Sequence, residues 1–209
     1  MLRPNVRLRN FLSFTLILLA ATLFAASLST QRSQAQPQPN PQPAASRADS
    51  LAAWTKIATV LDHPRCLNCH QAESPLQGDS RRAHIPHVVR GSDNHGVGAM
   101  RCGNCHNGIG NNDTSRTPGA GGKGSDAWEL APLSMLWQGL SEGDLCRAVK
   151  DPARNGHRNG EALIKHMTDE PLVLYGWDPG VGRAPVPIPH DEVVSLMKVW
   201  VAGGMACPK

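Results

Sequence analysis

Two pentapeptides of one pattern, Cys66-Leu67-Asn68-Cys69-His70 and Cys102-Gly103-Asn104-Cys105-His106, constrain this chain more than anything else in it. In each, two thiols sit on successive corners of one helical turn and an imidazole follows directly. That arrangement suits covalent attachment of a c-type haem: both thiols add across the porphyrin vinyl groups, and the adjacent histidine binds the iron. Paired cysteines have other uses. Two C-x2-C pairs can hold a structural zinc, and a single CxxC can act as a redox dithiol. Neither calls for a histidine after each second cysteine, and here it occurs twice. The expectation is two covalently bound haem c groups, held by Cys66, Cys69, Cys102 and Cys105, with His70 and His106 as proximal iron ligands.

Composition bears on the same point. The 209 residues include one tyrosine, three phenylalanines and five tryptophans, so side chains offer little aromatic surface for a core. Twenty glycines and 17 prolines argue for much irregular backbone, against a helix bundle or a large sheet. Two porphyrins would supply flat apolar surface in compensation, and without them the chain is expected to be largely unfolded. The two motifs lie too close in sequence for each to own a full domain, so both haems should share one. The expected fold is mainly α with extensive irregular loops, a compact dihaem cytochrome c-like domain with little or no sheet.

The N-terminus reads as an address. Arg3, Arg7 and Arg9 precede an apolar run from Phe11 to Leu28, followed by Ser33-Gln34-Ala35. This is the pattern of a secretory signal peptide over residues 1–35, cleaved after Ala35. An uncleaved anchor is the alternative, since the run is just long enough to span a bilayer. Either way the remainder is exported, to the periplasm in a Gram-negative cell. Residues 36–46 form a Pro/Gln-rich linker too poor in apolar side chains to fold, which leaves 47–209 as the functional domain. The +4 net charge belongs to the leader: Arg3, Arg7, Arg9 and Arg32 lie in it, and no Asp or Glu does. A neutral mature chain has no electrostatic footprint for nucleic acid.

Within the domain, Asp49-Ser50 is expected to cap a helix with Leu51, Trp54, Ile57, Ala58 and Leu61 on one face, ending near His63-Pro64. A Gly-rich loop should run from Asn107 to about Ser125. Leu133, Leu136, Trp137 and Leu140 read as a short helix or turn, Ser141 as the cap of a helix through Val149, and Gly160 to Met167 as another helix. Residues 179–189 are too Pro-rich to be helical. Asp191 to Val201 is the clearest helix, with Val194, Met197, Lys198 and Val201 at helical spacing and Gly203-Gly204 at its end. No strand alternation stands out. Cys146 and Cys207 have no CxxC partner, and outside the cytosol they are expected to form a disulfide rather than remain buried thiols. It would staple the C-terminal helix to the middle of the domain.

Each iron needs a ligand opposite its proximal histidine. Seven histidines remain of nine, with five methionines in the domain (Met100, Met135, Met167, Met197 and Met205). This richness points to histidine on both sides of at least one iron. The first candidates are His84, in the loop between the motifs, and His166, on a short helix. His63 and His95 are rivals: too near their own motif's haem, each is free to reach the other. His157 reads as solvent-facing, His190 as a neighbour of a helix start, and Met197 as packing.

From Leu61 onward the chain resembles a family of small dihaem c-type cytochromes commonly labelled isoquinoline 1-oxidoreductase subunit. The shared pieces are His63-Pro64-Arg65-Cys66 with CLNCH, Gln77-Gly78-Asp79, Arg90-Gly91, His95-Gly96 and CGNCH. They continue with Leu130-Ala131-Pro132, Leu145-Cys146, Asp151 to Gly156, Tyr175-Gly176-Trp177 and Ala206-Cys207-Pro208. The resemblance covers roughly residues 60–208. It implies a cytochrome taking electrons from a partner dehydrogenase of the molybdenum hydroxylase kind, and it matches His63, His84, His95, His166 and His190 to the family's histidines. His87 and His157 have no match. No molybdopterin or iron–sulfur motif is present, so hydroxylation would belong to the partner. The expected function is electron relay to a respiratory acceptor by a non-enzymatic subunit. A dihaem peroxidase or a haem-based ligand sensor, either with one open iron, is the alternative. The membrane enters only if the leader is retained.

Overall fold

The computed structural model describes residues 45–106, 128–180 and 182–209. The leader, all but the last two residues of the linker, and the Gly-rich loop after the second motif lie outside the described residues. Among the described residues seven α-helices carry the fold: α1 (Arg47–Leu61), α2 (Pro64–Leu67), α3 (Cys102–Cys105), α4 (Glu142–Lys150), α5 (Gly160–Asp169), α6 (Pro171–Leu174) and α7 (His190–Ala202). Strands β1 (Leu76–Gln77) and β2 (Arg82–Ala83) pair antiparallel, Leu76 opposite Ala83. This small hairpin was not foreseen, because two-residue strands carry no alternation to read. The domain is mainly helical. No helix among the described residues is long and apolar enough to cross a membrane.

α1 starts earlier than its sequence suggests. Ser46, not Asp49-Ser50, is the cap: its hydroxyl accepts from the Asp49 backbone N–H while the Asp49 carboxylate accepts from the Ser46 N–H, a reciprocal capping box. Ser50 is buried instead. It donates to the Trp200 carbonyl and accepts from the Ala206 N–H, tying α1 to α7 and the tail beyond it. Trp54 and Trp200 pack ring on ring at 4.8 Å in the core between them. The approach is close at Gly203, where a Cβ would come within 2.6 Å of the Ser46 carbonyl oxygen and the Ser50 Cβ.

The buried stripe of α7 is Val193, Met197 and Trp200. The expected set was rotated too far round, since Lys198 is exposed and Val194 and Val201 are only half-buried. Met197 is buried in the core. Ser141 caps α4, accepting from Asp144 N–H. Leu133–Met135 is a single 3-10 turn, and Leu136 to Leu140 stays irregular. Cys146 of α4 is disulfide-bonded to Cys207. Apart from the hairpin and a 3-10 turn at Gly98–Met100, the chain between the motifs is irregular yet anchored. The Arg90 guanidinium donates to the carbonyls of Gln71, Ala72 and Ala131 and to the Asn94 side chain, gathering three loops about one buried cation.

Candidate functional site

Each CxxCH motif winds through one helical turn, and that turn sets its side chains. His63 caps α2, its Nδ1 accepting from the Arg65 N–H at 3.3 Å, and Pro64 takes the first turn, where no amide hydrogen is needed. The turn continues until the His70 N–H reaches the Cys66 carbonyl at 3.3 Å. In α3 the His106 N–H bonds the Cys102 carbonyl at 2.8 Å. Both turns therefore deliver two thiols and an imidazole to one side.

Each motif faces a cleft. The first lines one with about 1310 Å³ of non-protein space, open solvent included, between α1, α5 and residues 129–137. Cys66, Cys69 and His70 form one wall; His166, Met135 and Met167 also line it. The second motif lines a cleft of about 1200 Å³ counted the same way, with Cys102, Cys105 and His106 on one wall and His84 among its other lining residues. Cys69, Arg65 and Glu129 line both, so the clefts share a wall. Apolar lining with a few converging polar groups is the usual character of a cofactor site.

The motif histidines are held as neutral bases. His70 Nδ1–H donates to the Met135 carbonyl at 2.7 Å, leaving Nε2 as the basic nitrogen. A metal-binding imidazole is commonly fixed this way. Its ring stacks on Trp137 at 3.3 Å. Burial pushes the His70 imidazole down to about 4, beating the Met135 hydrogen bond, which acts upward. His106 is also pushed down to about 4, by burial first and then by His84 and Arg183, and its ring stacks on Trp128 at 4.1 Å. Burial raises the thiols, Cys66 to about 12 and Cys69 to about 11, and raises Cys102 as well. As free side chains they are protonated at neutral pH.

Carbonyl oxygens only accept, so they report which nitrogen carries the proton on the other histidines. His84 donates from Nδ1 to the Pro86 carbonyl at 2.8 Å, which leaves Nε2 basic, and its ring lies 6.1 Å from that of His106. His166 reaches the first cleft from α5 through helical spacing with Leu163 and Gly160; burial lowers its pKa, with Arg158 adding to the effect. The rivals are engaged elsewhere. His63 caps α2 through Nδ1, which puts its proton on Nε2. His95 donates from Nδ1 to the Trp128 carbonyl, with Nε2 3.6 Å from Glu129. His190 spends Nε2 on the Met167 carbonyl and packs edge-on against Trp177. His87 and His157 are exposed.

Four of the six buried side-chain polar atoms without a partner among the described residues belong to cleft-lining residues, the other two being on Arg81. Arg65 Nε, Asn68 Oδ1, His106 Nδ1 and Trp137 Nε1 are buried without a hydrogen-bond partner among the described residues, and all four residues line one or both clefts. Leaving such groups unpaired costs about 1–3 kcal/mol each. Two clefts with paired thiols, neutral imidazoles and unpaired polar edges fit a flat group with an apolar face and a polar rim, as haem has. Sequence reasoning missed Trp128 and Trp137 as ring partners, and Arg65 and Tyr175 as wall residues. No local spacing marks them; Arg65 carries only its place before Cys66.

No family model, no curated protein and no solved structure matches the chain.

Proposed function

We propose that this chain is an exported dihaem c-type cytochrome that relays single electrons, taking them from a partner dehydrogenase and passing them to a respiratory acceptor. One observation carries the reading: each of two CxxCH motifs lines its own cleft, and the two clefts share Cys69 and Arg65 in their common wall. Cys66 and Cys69 would tether one haem and Cys102 and Cys105 the other, with His70 and His106 as proximal ligands. His166 and His84 are the distal candidates that line the respective clefts. Haem c supplies, when bound, an iron that gains or loses one electron without a change of substrate.

The protein's part is positional. The Met135 carbonyl holds the His70 proton at Nδ1, and the Pro86 carbonyl holds that of His84 at Nδ1, which keeps each Nε2 available as a base. Trp137 and Trp128 fix the two proximal rings by stacking and exclude water from one side of each. The shared wall supports fast exchange between the two centres. Export is supported by the leader and by the disulfide, which forms in oxidising compartments.

A pyridine haemochrome count on matured protein, with low-temperature EPR of the oxidised form, tests the reading. Two haems per chain and low-spin signals from both are expected. Colourless protein would refute the reading. A high-spin ferric site with peroxide turnover would favour a peroxidase, and reversible binding of CO or NO at an open iron a sensor.

A further inference from the structure

Arg65 is the buried charge that the relay alone does not require. Its side chain is 3 % exposed, it lines both clefts, and its charge acts on the thiols of Cys66 and Cys69. Its partner Asp79 lies on the outer side. That carboxylate is 47 % exposed and also accepts from the Ala184 N–H at 3.2 Å, so it is anchored to the Pro-rich strap rather than to the cleft walls. Tyr175 in the second cleft lies against the same guanidinium, and Arg65 Nε has no partner among the described residues. The ion pair is therefore oriented with its cation inward, between the clefts, and its anion toward solvent. Glu129, the other charged residue common to both walls, is 52 % exposed and more strongly screened.

We propose that Arg65 sets the reduction potentials of both cofactors together, and that Asp79 attenuates it. The inference rests on the dihaem reading. Adding an electron to either centre places negative charge beside a buried cation only partly neutralised by Asp79 on its solvent side, which favours the reduced form in both clefts. One side chain in the common wall thus raises both potentials in parallel, keeping the two centres matched for exchange.

Redox titration of the matured holoprotein followed optically, with haem counted in every sample, tests this. Arg65→Gln is expected to keep two haems and move both midpoint potentials down. Arg65→Lys, which retains the charge, should bring both back toward the parent values. Asp79→Asn, which keeps a side-chain oxygen for the Ala184 N–H, should move both up and decides the matter if Arg65→Gln does not mature. The opposite signs separate a field effect from a structural one, since general loosening of the wall would shift both variants the same way. Two haems with only one potential moved, neither moved, or a downward shift in Asp79→Asn would overturn the proposal. Fewer than two haems in the parent protein would overturn the dihaem reading itself, and this proposal with it.

Discussion

Replacing the disulfide by Cys146→Ala and Cys207→Ala together offers the best-defined stability test. The two cysteines are 61 residues apart in sequence. In the chain-entropy treatment a loop of that size removes about 14 cal/mol/K from the unfolded ensemble, or about 4 kcal/mol at room temperature. The native side should change little. Ser50 still bonds Trp200 and Ala206, the Trp200 indole N–H still donates to the Ala206 carbonyl, and Lys150 still donates to the carbonyls of Gly204 and Met205. The tail thus has other anchors, and the expected loss sits mainly in the unfolded state. For a domain of this size 4 kcal/mol corresponds to a fall in Tm of roughly 8–16 °C. Guanidinium unfolding of matured protein, parent against double variant, measures it. A loss under about 1 kcal/mol would show that the unfolded chain is already held together, as by two tethered cofactors, and would refute the loop-entropy argument for this protein. A loss accompanied by a changed haem count would place the effect in the native state instead.

Other expectations are more local. On the dihaem reading proposed above, His166→Ala and His84→Ala should each turn one iron high-spin and open to CO, leaving the other unchanged, whereas His95→Ala should leave both low-spin; optical and EPR spectra decide. Gly203→Ala places a methyl within 2.6 Å of the Ser46 carbonyl and Ser50, and should cost about 1–3 kcal/mol in chemical unfolding. Ser46→Ala should cost about 1 kcal/mol by loss of the α1 cap. The Asp49 and Asp144 carboxyls are held below the usual range, first by the Ser46 and Ser141 hydroxyls respectively. A carboxyl with a lowered folded pKa stabilises fully above its unfolded value, and that gain is lost as pH falls through the folded value. The helix caps should therefore weaken only below about pH 4, and Asp49→Asn should flatten that acid limb in a stability-against-pH series.

What the amino-acid order determined by itself is whatever lies within a turn or two of chain. The CxxCH turns, the Ser141 cap, the α5 and α7 segments and the Pro-rich strap could all be read, because spacing along one helix fixes which side chains are neighbours. The disulfide partners emerged by elimination among six cysteines. Local signals also misled. Asp49-Ser50 looked like a cap, but Ser50 is more use buried against Trp200, and the helix extends back to Ser46. On α7 the exposed Lys198 fell on the expected stripe because periodicity alone does not say where α1 stands.

Tertiary structure decided the rest. It brings His166 to the first cleft and His84 to the second, engages His63 and His95 elsewhere, and stacks Trp137 and Trp128 on the two motif histidines. It also turns Arg65 inward between the clefts, while Arg90 gathers the loops around them. These contacts join residues whose separation is set by the path of irregular loops. No periodicity records that path, because it follows from how buried charges and carbonyls satisfy one another once the whole chain is packed.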